Sequence, residues 1–313
     1  MECTDQRTFT GFGRLRLFLA LSRTTHGLLD MAAPAFAALL WLGRLPDAAV
    51  TLVGLVTTFA GYTAVYALND VVGFRSDRLK FLQGGFGESG CDIDAVFIRH
   101  PMAQGYLSLT EGTLWAATWG VVALAGAIYL NPVCILIFLA GCLLEALYCL
   151  LWRVSPYRAL VSGGVKTLGA VAAVFAVDPR PDPVFVALLF GCLFAWEIGG
   201  QNVPNDWADL AEDRRFGGKT IPIRFGLVVS NSIILWSNAV AVVLCGALFR
   251  FAGGSGAALW GAIAVTVAVC LLIVPAVRLT VGPSAELAMK LFNRASYFPL
   301  SLLCVAVLRG LFS

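Results

Sequence analysis

Two short acidic stretches are the residues of this chain best suited to chemistry. The first is Asn69-Asp70 followed by Asp77, at the end of the apolar run TLVGLVTTFAGYTAVYAL. The second is Asn205, Asp209 and Asp213, spaced i, i+4, i+8. They share one helical face if the helix continues past Pro204. Asn69, position 73 and Asp77 show the same spacing in the first half of the chain, except that position 73 is Gly73. The pattern N-D-x-x-(D)-x-x-x-D thus occurs twice and reads as an internal duplication. Paired carboxylate sets suit a divalent-metal diphosphate site. Mg²⁺ is usually held by one or two carboxylates plus substrate phosphates, and the ion neutralises charge on a leaving group. Arg78, Arg99, Arg214, Lys219 and Arg224 are near enough in sequence to grip further phosphate oxygens. A lone DxxxD is more often a solvated face or a helix cap. Two matched copies in an apolar chain favour a site, because acids at a membrane interface are costly without partners.

The elements that must position these residues are membrane helices. Of 313 residues, 59% are hydrophobic and 13% charged, against about 25% charged in a soluble domain. The chain therefore reads as a polytopic membrane protein. Its net charge of +3 shows no basic stripe, so no nucleic-acid partner is expected. Nine cysteines form no C-x-x-C pair, which argues against a disulfide framework and a zinc site. The N-terminus, MECTDQRTFTGFGRLRLFLA, reads as a cytoplasmic lead-in and not a signal peptide. Spans of about 20 apolar residues are expected at 19–43, 48–69, 108–130, 132–152, 157–178, 183–204, 227–250, 256–278 and 287–310. Two polar links are long, 70–107 and 205–226. They carry Arg75, Arg78, Lys80, Arg99, Arg214, Arg215, Lys219 and Arg224, whereas the opposite side carries Arg44, Arg180, Arg250 and Arg309. This bias puts the N-terminus and both long loops in the cytoplasm. The expected fold is all-α: nine transmembrane helices in one bundle around a central lipid-accessible cavity. It is a single domain over 1–313 in the cell inner (plasma) membrane, its site capped by loops 70–107 and 205–226.

At these residues the chain resembles the UbiA superfamily of intramembrane prenyltransferases. That family's N-D-x-x-D-x-x-x-D matches Asn69, Asp70 and Asp77, and its D-x-x-x-D matches Asp209 and Asp213. Arg99-His100-Pro101-Met102-Ala103-Gln104-Gly105 resembles its R-P-l-x-x-G segment with one residue inserted. Gly217, Lys219 and Thr220 resemble G-x-K-T/S, Arg23 an arginine near the first span, and Tyr148 with Arg153 the Y-x-x-x-K-R stretch. The resemblance implies transfer of a prenyl group from a polyprenyl diphosphate donor to a small aromatic or lipid acceptor. It also implies Mg²⁺ as cofactor, the bilayer as surroundings, and no obligate protein partner. On that reading Asp70, Asp77, Asp209 and Asp213 are catalytic and hold metal with Asn69 and Asn205. Arg23, Arg78, Arg99, Arg153 and Lys219 hold the diphosphate. Tyr62, Tyr66, Tyr148, Trp152 and Trp196 are candidates to face an allylic cation.

Two departures stand out. Gly73 replaces the middle acid of the first motif; Asp92 or Asp94 could fold back to compensate. Trp152 stands where the family often has lysine, so Arg153 could take over a diphosphate contact. Inside the spans, Lys166 could pair with Glu145 or Glu197 or reach an anionic acceptor. Gln201 and Asn202 could orient an acceptor hydroxyl or carbonyl. Two other outcomes use the same metal–diphosphate site: cyclisation of the cation, or a phosphoribosyl-type transfer. A cation transporter or lipid-binding protein is the rival from another class; transporters usually bind near the bilayer midplane.

Overall fold

The structure, a computed structural model, describes residues 11–85, 98–254 and 256–312. Its described residues form helices and connecting turns. A short α1 (Phe12–Leu21) leads in. The remaining elements are α2 (Thr24–Leu42), α3 (Ala48–Leu82), α4 (Leu109–Leu130), α5 (Pro132–Arg153), α6 (Arg158–Val177), α7 (Pro183–Ala208), a short α8 (Leu210–Phe216), α9 (Ile221–Phe251), α10 (Ala257–Val281) and α11 (Ala285–Phe312). Among the described residues, the nine other than α1 and α8 are long and apolar enough to cross a membrane.

Local sequence explains the boundaries. Ser108 and Glu111 form a reciprocal capping box that starts α4. Asn131 and Asp182 accept from the N–H groups of Val133 and Val184, each just after a first-turn proline. Helix packing uses small residues: a Cβ on Gly199 of α7 would lie 2.9 Å from the Ile234 carbonyl of α9, so only glycine permits that approach. Leu143, Val228, Trp236 and Val281 are exposed, as expected of side chains that face lipid.

Three boundaries differ from the sequence expectation, and each matters for the site. The second span does not stop at residue 69. α3 runs unbroken for 35 residues, about 52 Å at 1.5 Å per residue, well beyond a hydrocarbon core of about 30 Å. Its last turns therefore carry Asp70, Asp77 and Lys80 as a rigid rod. The first span begins at Thr24, after a break at Arg23, whose φ of 44° is left-handed. The sixth span passes through Pro204 because residues Glu197–Asn202 form a π-helical stretch immediately before it. A wider turn of this kind relieves the ladder that proline interrupts. The helix then breaks at Asp209 and resumes as α8.

Candidate active site

The two acid motifs meet at one end of the bundle. Their link is the dipeptide Arg99-His100, in the segment entering α4. Arg99 Nη2 lies 3.3 Å from Asp209 Oδ2, and its Nη1 lies 3.5 Å from Glu212 Oε2. His100 Nδ1 lies 3.0 Å from Asp70 Oδ1 and 3.5 Å from Asp77 Oδ2. A second link comes from α3 itself. Lys80 Nζ is 3.3 Å from Glu212 Oε1 and 4.0 Å from Asp213 Oδ1. It also sits 4.0 Å from the centre of the Trp152 ring, whose indole N–H donates to Asp213 Oδ1 at 3.2 Å. The tryptophan at the family's lysine position thus orients one acid and carries a cation over its face.

Burial makes these charges interact strongly. Asp70 and Asp213 are buried, Asp77 and Asp209 half-buried. Burial, then the neighbouring Asp206, pushes the Asp213 carboxyl well above the usual carboxylate range against the opposing pull of Lys80. Burial depresses the His100 imidazole, but Asp77 and Asp70 together outweigh it and raise the group above its ordinary value.

The remaining sequence candidates divide by what they touch. Arg23 donates to Asn69 Oδ1 at 3.2 Å and lies 3.7 Å from Asp70 Oδ1. Asn69 Nδ2 donates to Glu145 Oε1 at 2.5 Å. Asn205 is half-buried on the turn before Asp209, whose N–H its carbonyl accepts. Arg78 is turned to the Ala103 carbonyl at 2.6 Å, where it anchors the segment after His100. Arg153 is exposed and stacks on Trp152 at 5.2 Å; Lys219 is exposed too. Gln201 is engaged by α11, donating to the Phe292 carbonyl at 3.0 Å. Asn202 donates to the Tyr148 hydroxyl at 3.1 Å. Trp196 is buried and donates to the Ala295 carbonyl, a packing role. Lys166 has its close partners on α2 and α3, and its charge also acts on Glu145 and Glu197. Its Nζ lies 2.5 Å from Asp30 Oδ2 and 2.5 Å from the Tyr66 hydroxyl, because α2 and α6 pack closely enough to bring Asp30 opposite it. Glu197 instead accepts from Ser162 Oγ at 2.6 Å. Asp92 and Asp94 lie outside the described residues.

Five residues escaped the sequence candidates: His100, Lys80, Asp206, Glu212 and Arg158. Asp206 follows Asn205 as Asp70 follows Asn69, and was legible in that register. It is buried and accepts from Arg158 Nη2 at 2.7 Å. Lys80 lies one turn beyond Asp77 on the same face, a signal that the expected end at residue 69 concealed.

The donor set fits a hard divalent ion. It consists of carboxylate oxygens, and buried Asp206 Oδ2 and Glu212 Oε1 have no hydrogen-bond donor among the described residues; Lys80 faces Glu212 Oε1 as an ion pair without hydrogen-bond alignment. Among the described residues no three His, Cys, Asp or Glu side chains converge as a closed cage. A magnesium ion shared with a phosphate group needs only one or two carboxylates, so the set suits an ion that arrives with phosphate oxygens.

Beside this cluster lies an apolar cavity of about 450 Å³, walled by α2 to α6 and α11. Its polar end is Tyr66, Glu145 and Lys166; Tyr62 lines it, and Leu45, Leu130 and Val177 mark its far end. Glu145 joins cavity and acid cluster through Asn69.

The model of the UbiA prenyltransferase family matches residues 31–298. Several solved structures share the fold. A UbiA homologue from Aeropyrum pernix K1 in its apo form has a TM-score of 0.70 at 20% identity, covering 90% of this chain and 97% of that one. One from Archaeoglobus fulgidus bound to DMAPP and Mg²⁺ has a TM-score of 0.68 at 15% identity, covering 95% and 99%. A structure described for digeranylgeranylglyceryl phosphate synthase in membranes has a TM-score of 0.68 at 17% identity, covering 96% and 99%. No curated protein matches the chain.

Proposed function

The chain belongs to the UbiA prenyltransferase family, and from that premise we propose that it transfers a prenyl group from a polyprenyl diphosphate to an acceptor within the membrane. The acceptor we favour is an aromatic ring of the quinone-precursor type. The observation that carries this reading is the junction of two carboxylate sets through Arg99-His100, next to an apolar cavity that ends in Tyr66, Glu145 and Lys166. The DMAPP and Mg²⁺ bound to the A. fulgidus homologue support it.

Asp70, Asp77, Asp209 and Asp213, with Asn69, Asn205, Asp206 and Glu212, are the oxygen-bearing residues that surround the metal–diphosphate head. Mg²⁺, when bound, supplies the positive charge that lets the diphosphate depart. The chain's own residues do the rest. Arg23, Lys80 and Arg99 exchange carboxylate partners for diphosphate oxygens, a charge-assisted bond that suits a guanidinium. The cavity receives the tail and keeps water from the allylic cation as the C–O bond breaks. Tyr62 and Tyr66 present aromatic faces to that cation. The ring carbon of the acceptor forms the new C–C bond and then sheds its proton. We place this end of the bundle on the cytoplasmic side of the inner membrane, because the lysines and arginines concentrate there.

The test is release of pyrophosphate by purified protein from labelled prenyl diphosphates, with a panel of aromatic acceptors and product identification by mass. Release that depends on Mg²⁺ and disappears in Asp209→Ala/Asp213→Ala, but survives in the exposed control Glu286→Gln, is the expected result. A released hydrocarbon with no acceptor consumed assigns a cyclase instead. Release that persists in the double variant overturns the site.

A further inference from the structure

Gly73 and Asp209 occupy the same register in the two copies of the acid motif, four residues after Asn69 and Asn205 respectively. In the second copy the carboxylate is present, and Arg99 holds it at 3.3 Å. In the first copy it is missing, and Asp77 leans into its place: a Cβ on Gly73 would lie 3.0 Å from Asp77 Oδ2. The group between the two remaining carboxylates is the imidazole of His100. Its Nδ1 is 3.0 Å from Asp70 Oδ1 and 3.5 Å from Asp77 Oδ2. A magnesium ion demands a near-ideal octahedron of oxygens. Any ion bound to both carboxylates needs the space that Nδ1 takes between them.

The backbone shows how specifically His100 is held there. Its φ is 50°, a left-handed conformation uncommon for a residue with a side chain. Pro101 follows it, and a residue before proline prefers the extended region. Such conformations persist where the surroundings over-determine them. Here the surroundings are Arg99 on the second acid set, Asp70 and Asp77 on the first, and Arg78, which fixes the Ala103 carbonyl.

Resting on the metal–diphosphate reading above, we propose that His100 is a built-in occupant of the first acid set, so that this protein takes up one divalent ion per diphosphate, at the second set. The near side of the diphosphate is then gripped by nitrogen donors, His100 and Arg23, in place of a second ion. The dipeptide Arg99-His100 divides the work: Arg99 yields to the incoming ion, and His100 remains. This couples the insertion between Arg99 and Pro101 to the loss of the acid at Gly73, two departures that the sequence presents as unrelated.

The test counts metal, not turnover. Purified full-length protein in nanodiscs is titrated with Mn²⁺ in the presence of a non-ionising geranylgeranyl thiolodiphosphate, and bound ions are counted by electron paramagnetic resonance. One Mn²⁺ per chain with no Mn–Mn dipolar coupling is expected for the unaltered protein. Two per chain, with that coupling, are expected for Gly73→Asp/His100→Ala. Two ions in the unaltered protein overturn the inference while leaving the function intact. No ion at all overturns both. One ion in the double variant shows that His100 is not what excludes the second. Loss of the single ion in His100→Asn, a variant that keeps much of the side chain's bulk, makes His100 a ligand and also overturns it. Thermal melting of each variant confirms that a folded chain was counted.

Discussion

Arg158 Nη2 lies 2.7 Å from Asp206 Oδ1, joining the start of α6 to the end of α7 in a buried pair. Its counterpart in the first half of the chain is Arg23 with Asp70, at 3.7 Å, joining the start of α2 to α3. Asp206 matches Asp70 in the register of the two motifs, and Arg158 matches Arg23 to within one position. The duplication thus repeats a whole device, an arginine at the foot of one helix holding an acid in the second half of the next. The second copy is closed more tightly and is the more buried.

That difference predicts unequal responses to mutation. Arg158→Ala leaves Asp206 as an unpaired buried charge, and breaking one side of such a pair costs about 3–5 kcal/mol. The expected outcome is a large fall in the denaturation midpoint in detergent. Arg158→Leu/Asp206→Asn should recover much of the loss, since removing both partners avoids the stranded charge. Arg23→Ala should cost less stability, because Asp70 retains His100. Additive losses in the Arg158–Asp206 cycle would show that the pair is not coupled.

Lys80 pairs with Glu212 and Asp213; on the proposed function it competes with metal for them and also stands ready for the diphosphate. These roles have opposite signs. Lys80→Met leaves a more negative acid set, so the Mg²⁺ concentration for half-maximal activity should fall. The KM for the diphosphate should rise at least about tenfold, the loss of one charge-assisted hydrogen bond worth about 1.5–3 kcal/mol. Both constants moving the same way would deny Lys80 a place at the site.

The candidate site was legible where it depended on type and spacing and obscure where it depended on helix length and insertion. Asp70, Asp77, Asp209 and Asp213 stood out as candidates because acids beside apolar runs are rare, and the structure brings them to one end of the bundle. The nine spans among the described residues followed from apolar length alone, as the backbone's need for internal hydrogen bonds in lipid ensures. Lys80 was hidden because α3 outruns the apolar run by more than three turns, and hydropathy measures the membrane, not the helix. His100 was hidden because its position depends on a left-handed turn that no periodicity announces. The Lys166–Asp30 pair was missed because it joins α2 to α6, helices far apart in sequence, and a lone buried lysine does not name its partner.

The cavity offers a ruler along α3. Gly61 and Gly54 both line it, nine and sixteen residues from Asp70, or about 14 Å and 24 Å along the helix. Among the described residues a Cβ on Gly54 meets nothing within 4 Å, and one on Gly61 meets only the Phe138 ring at an ordinary 3.7 Å, so a side chain at either site starts without a backbone clash and narrows the cavity. Lipid is as apolar as the cavity, so a tail shut out loses little solvation energy; the penalty is steric, set by whether the head can still reach the acids. Gly61→Leu should therefore lower kcat/KM at least tenfold for geranylgeranyl and longer diphosphates while sparing dimethylallyl diphosphate. Gly54→Leu should spare both and impair only donors longer than geranylgeranyl. Competition between labelled donors of different length in one reaction measures the ratio directly. If long donors react equally well in both variants, the tail leaves sideways between helices and the cavity does not hold it.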